Sequence, residues 1–431
     1  MHQPQTVAIS AGAPGLGPAL PADPRSPVSK RFMFAYALAQ YTAWLAILTP
    51  VIMTIALKVS KIASAAEKGV YLSTILAIGA FGALVAAPIW GAISDRTRAR
   101  VGRRKLWMAL GCLSLLVGLS MMALSTRLLG LAIGWLICQI GFNACQAPLN
   151  ALMPDVVPTS QQGRMSALLG ITANLAFVSA AFITQFTSGN SLAMFLVPWL
   201  PYPFALAFLM ASFRDRPASS MPPFSAADLV RTFWVNPIRY PDFAWAFVSR
   251  FLLFFASAFF MTYQLYFLTD RIGVSKDAVL HMMFLCTLVT TMLTLILTPI
   301  SGWFSDRLGR RKPLVFFAGI VASAGLLAIG GATTFGQFLV CAAIYGTGIA
   351  VYSAVDIALC VAVLPDPDDA AKDMAVMQIA NSLPQSLAPA AAPLFLAIGA
   401  AQAPNYPAVF IAASIFGVIG ASAVLPIRKS R

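Results

Sequence analysis

Gly91 to Lys105 reads GAISDRTRARVGRRK. It ends one long apolar run, begins another, and crowds six cations around a single carboxylate, Asp95. The chain repeats it. Gly302 to Lys312 reads GWFSDRLGRRK, again between two apolar runs. Gly91 aligns with Gly302, Asp95 with Asp306, Arg96 with Arg307, and Gly102-Arg103-Arg104 with Gly309-Arg310-Arg311. The two copies stand 211 residues apart (302 minus 91) in a chain of 431, so the sequence is written twice.

The residue types have physical reasons. Glycine lets helices approach closely because no Cβ holds the backbones apart. An ionised aspartate at a membrane edge needs arginines or helix N-termini for partners. The arginines that follow cross a bilayer only at high cost, which pins the loop to the cytoplasmic side.

Composition bounds the class. Hydrophobic residues make up 59% and charged ones only 10%, which describes a multi-pass membrane protein rather than a soluble domain. The net charge of +14 raises the question of nucleic acid, but the cations lie in short loops between apolar runs, so nucleic acid is not expected as a partner. Six cysteines all fall inside apolar runs without metal or redox spacing, and no metal site or cofactor is expected.

Residues 1–29, rich in Ala, Pro and Gly, read as a disordered cytoplasmic tail. Twelve apolar stretches of the length that crosses hydrocarbon follow, near 33–56, 70–93, 106–125, 128–151, 165–187, 191–213, 244–268, 278–301, 314–331, 336–362, 374–399 and 408–426. The expected fold class is all-α integral membrane, with twelve transmembrane helices in two pseudo-symmetric six-helix bundles. The bundles are 30–213 and 244–431, joined by a cytoplasmic linker at 214–243 that contains five prolines and an expected amphipathic helix from Ser225 to Trp234.

With the N-terminus inside, the cytoplasmic face holds 22 lysines and arginines and the other face 6, with Arg250 alone inside a span. The positive-inside rule then puts both termini in the cytoplasm.

The paired loops resemble the loop of the major facilitator superfamily that lies between helices 2 and 3 and again between helices 8 and 9. That resemblance implies two bundles rocking around a midplane solute site, with spans 1, 4, 7 and 10 lining the cavity. The loop residues named above take the gating role. No Gly-rich phosphate-cradling loop is present, so a gradient rather than ATP is the expected energy source, and no enzyme activity is expected.

Polar residues inside those four spans fall on stripes. Span 4 carries Gln139, Asn143, Gln146 and Asn150 at intervals of 4, 3 and 4. Span 1 has Tyr36, Gln40 and Trp44 at 4 and 4 with Tyr41 beside them, span 7 has Arg250, Ser257 and Gln264 at 7 and 7, and span 10 has Tyr345, Tyr352 and Asp356 at 7 and 4. Gln40, Tyr41, Trp44, Gln139, Asn143, Gln146, Asn150, Gln264 and Tyr352 are the candidate solute contacts. The alternative is that such amides and hydroxyls only join helices, at about half a kcal/mol each.

Asp356 is the one carboxylate well inside a span, where an ionisable group is costly and a functional candidate by default. Arg250 lies at similar depth. Whether they pair is open at this stage. Together they are the candidate proton-coupling residues, with a structural ion pair as the alternative.

Finer resemblance is carried by Leu45–Pro50 (LAILTP), by the longer first loop SDRTRARVGRRK and by Asn143–Asp155 (NACQAPLNALMPD). These are similar to the glycoside-cation symporter branch, which includes plant sucrose carriers. Where those carriers place arginine, this chain has Asn150. The stretch from Val355 to Pro389 resembles bacterial relatives of that branch. The resemblance implies a monomer in a bacterial inner membrane that imports a small polar solute, a sugar or glycoside first, with a proton or other cation. Proton-driven efflux of a drug-like or metabolite molecule is the alternative, and a transport-inactive sensor or assembly partner is another.

Topology is directly testable. Single cysteines replacing Ala99 and Ala218 are expected to label only from the cytoplasm, and one replacing Ser275 only from outside; the reverse pattern would overturn the orientation.

Overall fold

The structure is a computed structural model that describes residues 26–65, 67–99, 101–215, 235–364, 370–399 and 404–428. The expected linker helix Ser225–Trp234 and nearly all of the expected tail lie outside the described residues.

All twelve expected spans are helices. They are α1 (Lys30–Ile62), α2 (Lys68–Arg96), α3 (Lys105–Leu124), α4 (Leu128–Val156), α5 (Thr159–Thr187), α6 (Ser191–Ser212), α7 (Pro241–Arg271), α8 (Lys276–Leu308), α9 (Arg311–Gly330), α10 (Phe335–Ala362), α11 (Ala370–Leu396) and α12 (Tyr406–Ser422). No strand occurs among the described residues. Hydrocarbon offers no hydrogen bonds, so each crossing segment must satisfy its own backbone as a helix.

Side chains cap the starts of several helices. Ser29, Asn190, Ser275, Thr334 and Asn405 accept first-turn N–H groups of α1, α6, α8, α10 and α12. Gly309, with φ 59°, ends α8 in the left-handed conformation that only glycine adopts at little cost.

Three helices are not α-helical throughout; α6 is broken by turns at 197–200, between Leu196 and Pro201. In α1 the turn Pro50–Thr54 is a π-turn, and in α7 so is Phe267–Arg271. The first carries α1 on past its expected end, and Lys58, expected in an external loop, is buried at 7% exposure. Its Nζ donates to the carbonyl of Ala123, 2.8 Å away in the last turn of α3, where a cation meets the negative end of the helix dipole. Arg250 is therefore not the only cation buried in a span.

The first bundle packs α3 against α4, α2 against α4, and α1 against α5 and α6; the second packs α9 against α10 and α12, α8 against α10, and α7 against α11 and α12. Between bundles, α2 meets α11 and α5 meets α8. Small residues allow the closest of these seams. A Cβ on Gly118 of α3 would lie 2.7 Å from the Gly134 carbonyl and 2.9 Å from the Cys138 nitrogen of α4, and one on Gly348 of α10 would lie 2.7 Å from the Ala318 carbonyl of α9. The loop glycines are different. A Cβ on Gly91 or Gly302 would meet nothing within 4 Å, which corrects the expectation that they bring helices together here.

At the end of the bundles away from the two basic loops, polar contacts cross between halves. Lys68 of α2 pairs with Asp270 of α7 at 2.6 Å, and its ammonium sits 4.8 Å from the Tyr266 ring. Tyr266 donates to the Ala56 carbonyl of α1 at 2.9 Å, Tyr263 hydrogen-bonds Ser73, and His281 of α8 meets Gln185 of α5 at 3.2 Å. The bundles are thus joined at that end by hydrogen bonds as well as packing.

Gly118→Val and Gly348→Val should each lower the thermal midpoint in detergent, because backbone atoms, not a yielding side chain, occupy the space of the new methyls; overpacking costs about 1–3 kcal/mol or more. Gly91→Ala should leave the midpoint unmoved, and an equal loss in all three would contradict the packing.

Candidate functional site

The first basic loop folds into a cage around one guanidinium. Arg104, 5% exposed, pairs with Asp95 at 2.6 Å and with Asp155 at 2.9 Å, and donates to the Ser94 hydroxyl at 3.0 Å. Arg103 reaches the same Asp155 oxygen at 2.9 Å. Two carboxylates from the ends of α2 and α4 thus meet at the start of α3, where a fork of five donors can serve both. Arg96 turns back to the Ala92 carbonyl of its own helix at 3.1 Å. In this arrangement Asp95 is engaged within its own half.

Asp215, three residues beyond α6, closes the cage. One oxygen of its carboxylate accepts the backbone N–H groups of Arg104 (2.7 Å) and Lys105 (2.9 Å), capping the positive end of α3. Gly102, at φ 114°, makes room; a Cβ there would collide with the Asp215 carboxylate. Lys105 then lies 4.9 Å above the Phe213 ring. The chain just beyond α6 is in this way clipped onto the first basic loop.

The second copy uses other acceptors. Arg307 lies 5.3 Å over the Trp303 ring, Arg311 donates to the Ala358 carbonyl of α10 at 2.9 Å, Lys312 donates to the Ile427 carbonyl at 3.0 Å, and Arg310 is exposed. The Asp306 backbone lies in α8, and its side chain is outside the described residues.

Sequence reading missed Asp155 and Asp215 as members of this site. A signal existed for the first: the sequence Met153-Pro154-Asp155 at the end of α4 recurs as Leu364-Pro365-Asp366, at the same 211-residue offset (366 minus 155) as the loops. Nothing in the sequence marks Asp215 apart from its charge.

In the second half Arg250 and Asp356 are paired, Nη1 to Oδ2. Tyr352, one turn before Asp356, donates to the other carboxylate oxygen at 2.8 Å, and Cys360, one turn after, lies 3.5 Å from the guanidinium. Arg250 is 8% exposed, Asp356 4% and Tyr352 1%. The surroundings are apolar: Ala246, Leu253 and Leu359 are buried beside the pair, and the Phe254 ring lies 5.4 Å from the guanidinium. Tyr352, expected at the solute, is spent on the carboxylate here.

The amide stripes separate into kinds. Asn143 donates to the Gln139 carbonyl of its own helix at 2.8 Å, while Gln139 is half-buried. Gln146 donates to Asn150 at 3.1 Å, and Asn150 is exposed. Tyr41 donates to Ser179 of α5 at 2.8 Å. Trp44 packs on Phe142 of α4 with ring centroids 5.3 Å apart, Gln264 is buried at 3%, and Gln40 at 5%.

The family model of the Major Facilitator Superfamily matches residues 32–297 and 280–431. The chain belongs to that superfamily. Membership makes it a transporter rather than an enzyme. No curated protein matches the chain. Solved superfamily structures share its fold at low identity. A bacterial homologue of the human lysosomal transporter Spinster, inward-facing and unoccupied, superposes with TM-score 0.72 at 15% identity, covering 93% of this chain and 98% of that one. The nucleoside transporter NupG gives 0.70 at 14%, covering 92% and 98%. A D-xylose-proton symporter gives 0.69 at 14%, covering 93% and 98%.

Asp215 and Gly102 should behave as one unit. Asp215→Ala removes the cap of α3, at about 1 kcal/mol, and Gly102→Ala strains a left-handed position and displaces the same carboxylate. The double variant should then lose less thermal stability than the two singles together; strict additivity would separate them.

Proposed function

We propose that this superfamily member is a secondary active importer of a small polar solute, with a sugar or glycoside as the leading class, coupled to protons through Asp356. In this reading the bundles 30–213 and 244–431 rock about the linker 214–243, in a bacterial inner membrane with both termini cytoplasmic, and the protein works as a monomer. The observation that carries the coupling is the buried carboxylate of Asp356, with Arg250 on one oxygen and Tyr352 on the other. Arg250 offers charge compensation that a conformational change can withdraw, and a carboxylate left without it can take up a proton instead. The sugar reading is supported by the resemblance to glycoside-cation symporters and by amides and aromatics along α1 and α4.

The experiment is uptake of a panel of labelled sugars into vesicles with and without an imposed proton gradient. Gradient-driven accumulation of at least one neutral sugar is expected, and no accumulation of any would overturn the reading. Asp356→Asn should abolish uphill accumulation yet leave exchange at equal concentrations measurable, because exchange requires no net protonation. A variant that still accumulates solute would return the pair to a structural role. Breaking a buried pair costs about 3–5 kcal/mol, so Arg250→Met with Asp356→Leu serves as the control: the double variant should fold more stably than Asp356→Asn and still fail to accumulate.

A further inference from the structure

The facing stripes of α1 and α4 hold an unused pair of acceptors. Tyr36 of α1 donates to the Leu149 carbonyl of α4 at 2.5 Å, and eight residues on, Trp44 packs against Phe142 at 5.3 Å between centroids. The helices run antiparallel, so these two contacts fix the register, and Gln40, midway on the same α1 face, falls level with Gln146. Both glutamines are more than nine-tenths buried, at 5% and 8% exposure. The side-chain carbonyl oxygen of each is buried without any hydrogen-bond partner. For Gln146 the direction is set, since its amide nitrogen is taken by Asn150 one turn along.

A buried acceptor left unpaired costs about 1–3 kcal/mol. Two at one level of one seam is a cost that a donor from outside the protein would relieve. The charge of that donor is constrained. From Phe32 to Leu57 of α1 and from Leu128 to Pro154 of α4 there is no Asp, Glu, Lys, Arg or His. A carboxylate or phosphate would meet acceptors, and an ammonium would leave water for two neutral oxygens, far short of its hydration. Hydroxyl groups satisfy the acceptors without either penalty. The half-buried Trp44, beside Phe142, adds an aromatic surface to the same site, suited to the C–H face of a ring.

We propose that Gln40 and Gln146 form a two-acceptor subsite that reads a pair of hydroxyl groups on an uncharged solute, with Trp44 packing against its apolar face. This rests on the importer reading above and narrows its substrate to neutral hydroxylated molecules. Asn143 and Asn150 are engaged within α4 and Gln139 is only half-buried, so these two glutamines, buried with an unpaired oxygen each, rather than the whole stripe, determine specificity.

The test is binding to the purified full-length protein in detergent, read as thermal stabilisation by sucrose, trehalose, D-xylose and myo-inositol, with glucuronate and choline as charged probes. At least one neutral probe is expected to stabilise the wild type, and Gln40→Met and Gln146→Met should each weaken its apparent affinity by about tenfold. The thermal midpoint without probe should hold or rise in both variants, because an orphaned polar atom has been removed. If the glutamines are structural joints, the midpoint falls in both variants and neutral-probe binding is unchanged, which overturns the proposal. Stabilisation by charged probes alone, or by none, also overturns it. Detergent binding needs no gradient, so lost coupled uptake with intact, glutamine-dependent binding of a neutral probe removes the importer reading and leaves the subsite standing.

Discussion

Hydrocarbon cannot replace water as a hydrogen-bonding partner, and the arrangement of this protein follows from that. Every backbone donor and acceptor within the bilayer must be satisfied inside its own helix, and the driving force between helices is close contact rather than escape from water. That is why Gly118 and Gly348 sit where α3 meets α4 and where α9 meets α10, the same seam in each half. It is also why charges that do enter the spans arrive with partners: Lys58 on the last turn of α3, Arg250 on Asp356.

The two halves share a plan but not its chemistry. In the first, Arg104 is held by carboxylates from α2 and α4 while Asp215 caps the helix it begins. In the second, Arg311 donates to the Ala358 carbonyl of α10 and Lys312 to the Ile427 carbonyl beyond α12. Both sets of bonds have an ionised donor, and the carboxylates of the first loop add the attraction of opposite charges. Among the described contacts, two loops alike in sequence are thus held by different acceptors.

The fold is legible in the sequence because span length and loop charge are one-dimensional quantities. Twelve apolar runs become twelve helices, and each boundary moves by only a few residues. The site is legible in part. The stripes on α1 and α4 touch at Tyr36 and Leu149 and at Trp44 and Phe142, but periodicity cannot say which amides are spent: Asn143 bonds its own helix, and the side-chain oxygen of Gln40 bonds nothing among the described residues. Tyr352 reads as a cavity residue because it shares a face with Asp356; that same spacing of one turn lets it serve the carboxylate instead. Asp215 is invisible because its role depends on a carboxylate returning 110 residues along the chain to Lys105, and no local pattern encodes that.

The π-turns at Pro50–Thr54 and Phe267–Arg271 fall in corresponding helices, α1 and α7. The first inserts one residue into a helix that runs on to Ile62, which advances what lies beyond it by about 100° of phase, one residue's share of a 3.6-residue turn, while the second closes α7 at Arg271. A helical wheel drawn from residue 30 is thus out of step after residue 54, and the side that faces lipid before the turn does not continue beyond it. Lys58 is the residue most affected: the offset turns its ammonium away from the acyl chains and toward the carbonyl of Ala123. Tyr266, immediately before the second π-turn, donates to the Ala56 carbonyl, two residues past the first, so the two helices meet where both depart from regular winding. One contact of the far-end seam between the halves therefore lies where the backbone leaves regular winding, a feature that residue identity alone does not carry.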